Sequence, residues 1–474
     1  MVFSRTSGRT AEPCAGSSRT VLALACGAQF MVVLDVSVVN VALPSIRDAL
    51  GFQPAQLQWV VNAYALVFAG FLLLGGRLAD LYGRRRIFLT GLSLFTLASL
   101  VGGLASGPGT LIAARAVQGL GAAVLAPATL TILTTTFAEG PPRTRALAIW
   151  TAVGVGGGAA GSLVGGLLTQ YLSWRSILLV NVPIGAVALF LAVRHLAGDH
   201  GAPATRRLDL PGAVLATMGL GSLTYGITRI ESTGWRDPGT LWPLVLGGGA
   251  LAAFVLVEAR FAAAPLIPPR LLRLRAVSAG NLVMLLAGAC FGPMWYFLSL
   301  SMQNVLHYGA LRTGLGFLPH TLVTMVVGWR VTPWLLRHLP GRTLIVAGAV
   351  LAASGFVWQS GIGADSDYIS GILGPAIVLS TGSGLLLTPI TAAVTSGVGE
   401  QDAGAASGLM NTTKQVGGAL GLAVLVAVAA GPGTTPDDLA ADYGRAFLTI
   451  AGILLVVAAM AIALPSRRPE GRVR

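Results

Sequence analysis

Hydrophobic residues in this chain come in long blocks, not in alternation. Runs of roughly 20 apolar residues, the length that crosses a hydrocarbon core as an α-helix, recur near positions 20–43, 57–79, 86–106, 110–135, 145–169, 177–196, 210–229, 240–260, 276–302, 312–335, 341–361, 368–394, 405–430 and 444–464. In lipid each backbone N–H and C=O must be satisfied within its own segment, so such runs form helices. A β-barrel would show shorter, alternating stretches. The pattern predicts an all-α integral membrane protein with fourteen transmembrane helices.

Two polar stretches divide this series. The segment 194–207 carries Gly, Pro, Asp and His, and the segment 260–275 carries Pro265, Pro268 and Pro269. They set spans 7 and 8 apart from six spans on either side, which predicts two six-helix bundles joined by an inserted hairpin. The expected boundaries are a disordered cytoplasmic tail over 1–18, an N-terminal bundle over 19–200, a two-helix linker over 201–270, a C-terminal bundle over 271–466 and a second tail over 467–474. Transporters are commonly built from such repeats, with the substrate site near the bilayer midplane between them.

Charge adds an orientation. Only 10% of the residues are charged, and the formal net charge of +13 is carried almost wholly by arginine, Lys414 being the only lysine. Clusters such as Arg5/Arg9/Arg19, Arg77 with Arg84–Arg86, Arg143/Arg145 and Arg467–Arg474 alternate with arginine-poor gaps. Basic loops stay cytoplasmic, so every second loop and both termini are expected inside, a distribution that follows membrane topology and does not indicate nucleic acid. The arginine-dominated, Ala- and Gly-rich composition points to a bacterial plasma membrane. Cys14, Cys26 and Cys290 form no disulfide framework, and the long first run, carrying an acid, does not resemble a cleaved signal peptide.

That acid is the sharpest chemical feature. Asp35 lies within the first apolar run, and an ionisable residue at membrane depth costs about 2.5–3.5 kcal/mol on insertion scales. Span 4 carries Arg115 and Gln118. An intramembrane Arg needs a partner, and Asp35 is the obvious one. Burial disfavours the charged acid while a guanidinium favours it, the opposition a proton carrier requires. After span 2 the stretch Gly76-Arg77-Leu78-Ala79-Asp80-Leu81-Tyr82-Gly83-Arg84 combines a turn glycine, an acid and a basic anchor. Span 5 is rich in glycine, including Gly157, Gly161, Gly165 and Gly166, which permits close helix packing. Asn40, Asn62, Tyr64, Gln118, Trp295, Gln303, Asn411 and Gln415 are polar or aromatic residues expected to line a cavity, suited to lipophilic or cationic compounds. The five histidines (195, 200, 307, 320 and 338) lack metal-ligand spacing, and no nucleophile motif or phosphate loop stands out. No catalytic residue, metal or cofactor is therefore expected, and the chain does not read as an enzyme.

Taken together these residues resemble the major facilitator superfamily, specifically its fourteen-span drug/proton antiporters. Leu34-Asp35-Val36-Ser37-Val38-Val39-Asn40-Val41-Ala42-Leu43-Pro44 is similar to their span-1 acid signature. Gly76–Arg86 resembles the superfamily's cytoplasmic loop motif, and Leu111, Arg115 and Gln118-Gly119 its span-4 motif. Trp174-Arg175-Ser176 with Val180-Asn181-Val182-Pro183, and Gly408 to Gly418 at span 13, are similar to stretches of the fourteen-span branch. The span-5 antiporter motif departs in one place, with Ser162 where the family has proline, and span 13 has Lys414 where arginine is commoner. The resemblance implies proton coupling by Asp35 and Arg115, a conformational clasp at Gly76, Asp80, Gly83 and Arg84, and efflux of a lipophilic or cationic small molecule by a monomer in exchange for protons. Proton-linked uptake or metabolite exchange is the alternative on the same fold, and Ser162 is the residue that raises it.

Overall fold

A computed structural model describes residues 15–138, 140–196, 209–234, 236–261, 269–395, 403–431 and 435–462. Of the tails expected over 1–18 and 467–474, residues 1–14 and 467–474 lie outside them, while 15–18 form the start of the first helix. Fourteen helices among the described residues are long and apolar enough to cross a membrane. In chain order they are α1 (Ala15–Leu50), α2 (Trp59–Tyr82), α3 (Arg84–Gly103), α4 (Pro108–Thr136), α5 (Pro141–Tyr171), α6 (Asn181–His195), α7 (Leu210–Thr233), α8 (Pro238–Leu256), α9 (Arg275–Leu300), α10 (Ala310–Val326), α11 (Gly341–Gln359), α12 (Gly374–Thr395), α13 (Ala403–Ala429) and α14 (Pro436–Ile462). With an even number of crossings, both ends of the described chain lie on one face.

Helix boundaries follow local chemistry. Proline occupies the first turn of α4, α5, α7, α8 and α14, where its missing N–H costs nothing. Asp209 caps α7 by accepting from the Gly212 N–H at 2.9 Å. Gly83, at φ +93°, turns the chain from α2 into α3 in a conformation disfavoured for other residues. The first helix continues past the expected end at residue 43 to Leu50, with Pro44 inside it. Five-residue π-turns close α8 and α9, extend α10 and lead into α12.

The packing repeats. In the first six helices α1 lies along α5 and α3 along α4. In the last six α9 lies along α13 and α11 along α12, the equivalent pairs. The two sets meet along two seams, α5 against α10 and α2 against α13, which the same equivalence exchanges. The hairpin α7–α8 packs on α2 and α13, where Leu66, Leu220 and Ala419 form a buried apolar cluster. Close approach on the first seam uses glycine: a Cβ at Gly166 would lie 2.7 Å from the Ala310 carbonyl oxygen, backbone that cannot yield. Near the far ends of α1 and α9, Ser299 Oγ donates to the Asn40 carbonyl at 2.6 Å and Gln303 Nε2 to the Val41 carbonyl at 2.8 Å. These contacts hold the two sets together at the face opposite the chain ends.

Candidate functional site

Helix α4 places Arg115 and Gln118 one turn apart, hence on one face. That face meets α1 at Asp35. Arg115 NH1 donates to Asp35 Oδ2 at 2.5 Å, with the two side chains only 2% and 0% exposed. The same nitrogen donates to Gln118 Oε1 at 2.7 Å, and Arg115 Nε to the Val60 carbonyl of α2 at 3.0 Å. Gln118 Nε2 donates to Asp35 Oδ1 at 2.7 Å and to Ser99 Oγ of α3 at 2.8 Å. Asn181, the first residue of α6, donates to Asp35 Oδ1 at 2.9 Å. The Tyr64 ring lies under the guanidinium, 4.5 Å from Cζ to centroid. Four helices beside α1, namely α2, α3, α4 and α6, thus contribute to one polar centre in an apolar bundle, while α5 supplies packing alone.

Every group that bonds the Asp35 carboxylate is a donor. Two charges this deep are tolerable only because their lone pairs and protons are satisfied. Three donors on two oxygens do this for the ionised acid. A protonated Asp35 would need an acceptor in place of one of them. Asn181 Oδ1, buried and without a partner, is such an acceptor within the same side chain that now donates.

Other residues singled out in the sequence fall elsewhere. Asn40 Nδ2 bonds the Val36 carbonyl of its own helix at 3.0 Å. Asn62 is buried and faces Gln58 Oε1 at 3.4 Å. Trp295 packs edge-on against Phe317 and His320, at centroid distances of 5.1 and 6.0 Å. Gln303 is taken up by the Val41 carbonyl and Ser299. Asn411 is exposed and bonds the Ser407 carbonyl, while Gln415 is half-buried. The structure therefore brings Gln118 and Tyr64 to the carboxylate centre and not to an open wall. Gly157, Gly161 and Gly165 pack on α1, at Phe30, Leu34 and Val38, and Gly166 on α10. Helix α5 runs unbroken through Ser162. Gly76 is half-buried and Arg84 opens α3. The side chain of Asp80 lies outside the described residues.

Ser99 carried no signal in the sequence beyond being a hydroxyl in an apolar run. Gly75 lies just outside the motif that begins at Gly76, yet it is Gly75 that lies against the Ala123 carbonyl of α4.

A sequence model of the Major Facilitator Superfamily matches residues 25–422. The chain belongs to that superfamily. It is 60% identical to the cephamycin export protein of Amycolatopsis lactamdurans over 97% of this chain and 94% of that one. Identity to the puromycin resistance protein of Streptomyces alboniger is 41%, covering 95% and 92%. The tetracenomycin C resistance and export protein of Streptomyces glaucescens is 35% identical over 86% of this chain and 74% of its own. Among solved structures, the peptide transporter PepTSo superposes with a TM-score of 0.69 at 16% identity, over 94% of this chain and 97% of that one. This last likeness speaks to the fold alone. The superfamily assignment makes the chain a multi-pass membrane transporter, with Asp35, Arg115 and Gln118 at the centre of its first bundle.

Proposed function

We propose that the protein exports a lipophilic, antibiotic-like small molecule in exchange for protons. The two bundles, 19–200 and 271–466, rock about a shared cavity, with 201–270 as the linker. It acts as a monomer in a bacterial cell membrane, with both termini cytoplasmic, and is a transporter without enzymatic activity. The export direction is favoured by relatives whose names denote export and resistance.

The observation that carries the proton-coupled reading is the buried Asp35 carboxylate held by three donors. Protonation removes its charge and leaves the donors facing a neutral acid. Arg115 then loses its counter-charge, while its Nε bond to Val60 and its stacking on Tyr64 remain. The state of one proton is thereby transmitted to α1, α2, α4 and α6 together. One inward proton is worth about 2.3 kcal/mol per 100 mV, or roughly a 50-fold gradient of a neutral substrate. Coupling requires that proton and substrate favour different states of the cavity. The clasp role of Gly76, Asp80, Gly83 and Arg84 is part of this proposal.

The test is proton release from everted membrane vesicles on addition of puromycin, tetraphenylphosphonium or cefoxitin, comparing wild type with Asp35→Asn. Release by any compound in wild type, absent in the variant, supports the reading. Equal release in both sinks the role given to Asp35.

A further inference from the structure

Lys414, the only lysine in the chain, sits near the middle of the 27-residue α13. Three faces of that helix can be assigned. Leu409, Thr412 and Val416 line an apolar crevice shared with α2, α7 and α8. Gly417 and Gly421 press on the α9 backbone at Leu285 and Ala289. Residues about 100° apart along a helix leave Ser407, Asn411 and Lys414 in one stripe away from the crevice, bordered by Gly418, which lies on Gly292 of α9. All three residues of the stripe are exposed or half-buried. Since α7–α8 covers the outer side of the α2–α13 seam, this stripe looks inward, between the bundles.

An ammonium at this depth is costly unless it meets a partner or a water-filled space. Lys414 makes no hydrogen bond or ion pair among the described residues, and its exposure places it on a space. The acids that could answer it are engaged elsewhere. Asp35 is buried with Arg115, and Asp442 pairs with Arg445 at 2.8 Å. The aromatic platforms expected for a cation are also occupied: Arg115 covers Tyr64, and Trp295 is packed on Phe317 and His320.

We propose that Lys414, with Asn411 one turn away, binds an anionic group, a carboxylate or its equivalent, on the transported molecule. The ammonium supplies the counter-charge and the amide a neutral hydrogen bond. A lipophilic body bearing one acid is therefore preferred over its neutral or cationic analogues. This rests on the export reading above, and it moves the expected substrate from the cationic class to the anionic one.

The test is equilibrium dialysis of purified full-length protein against cefoxitin, which has one carboxylate, its methyl ester, and tetraphenylphosphonium. Wild type should bind the acid at least about tenfold more tightly than the ester, the scale of a charge-assisted hydrogen bond. Lys414→Gln should erase that preference without changing affinity for the ester, and Lys414→Arg should restore it. Failure of the acid to bind better than the ester, or an equal loss for both in Lys414→Gln, overturns the proposal. Proton release separates the two readings. Tetraphenylphosphonium driving release while cefoxitin neither binds nor moves leaves the exporter standing and removes the anion site. A Lys414-dependent preference for the acid without proton movement by any compound does the reverse.

Discussion

Ser299 donates its hydroxyl to the carbonyl of Asn40 at 2.6 Å, and that carbonyl is the one Pro44 leaves without its helical donor. Proline has no N–H, so the residue four places earlier loses its usual partner. The donor comes instead from the other bundle. Removing it by Ser299→Ala should lower the apparent melting temperature, by an amount corresponding to about 1–3 kcal/mol for an unsatisfied buried acceptor. In a Pro44→Ala background the N–H is restored, and the same Ser299→Ala change should cost much less. A double-mutant cycle in thermal unfolding measures the difference. Identical losses in both backgrounds would dissociate Ser299 from Pro44.

Arg115 makes a fork of contacts that an ammonium cannot copy. Its Nε holds Val60 while NH1 holds Asp35 and Gln118. Arg115→Lys keeps the charge and should still lower transport at least tenfold, because the planar fork is lost. Arg115→Ala leaves Asp35 buried without its cation and should cost about 3–5 kcal/mol of stability. Transport in vesicles and melting in detergent read these separately. A fully active Arg115→Lys protein would show that charge alone suffices.

Two glycines of α5 should respond in opposite ways. A Cβ at Gly161 would lie 2.7 Å from Ser37 Cβ and 2.9 Å from the Leu34 carbonyl oxygen, whereas one at Gly156 would meet nothing within 4 Å. Gly161→Ala should destabilise by about 1–3 kcal/mol through overpacking. Gly156→Ala should be neutral or slightly stabilising through helix propensity. Comparison of their melting temperatures is sufficient.

The loop motif makes a similar pair. Gly75 lies on the Ala123 carbonyl, while a Cβ at Gly76 would stand 3.8 Å from Pro127 Cβ, an ordinary contact. Gly75→Ala should reduce the yield of folded protein more than Gly76→Ala does. If Gly76→Ala abolishes transport with normal folding, its role is in switching and not in the packing of α2 on α4.

The fourteen spans were legible because lipid imposes one length and one secondary structure on each. The meeting of Asp35 and Arg115 was legible for a related reason: charges within apolar runs are so few that each has little choice of partner. The hydroxyls were not. Ser99 and Ser299 each have many equivalents in the sequence, and only the particular amide or carbonyl each one meets gives it a role. Pro44 was visible, but nothing in the sequence said which helix would answer it. Gly75 and Gly76 differ by one position, which on a helix is about 100° of rotation, and that angle decides which of them is pressed onto the α4 backbone. Tyr64 reads as an aromatic wall until the guanidinium beside it is placed.

The position of α7–α8 breaks an equivalence that the twelve remaining helices keep. One seam between the bundles, α5 with α10, is closed by direct backbone approach at Gly166 and Ala310. The other, α2 with α13, is flanked by the hairpin and a crevice of about 210 Å³ lined by residues such as Ala69, Leu220 and Leu409. A molecule dissolved in the surrounding leaflet thus meets two dissimilar flanks, a bare joint on one side and an oily recess behind an extra pair of helices on the other. Left and right are not interchangeable for anything that arrives sideways.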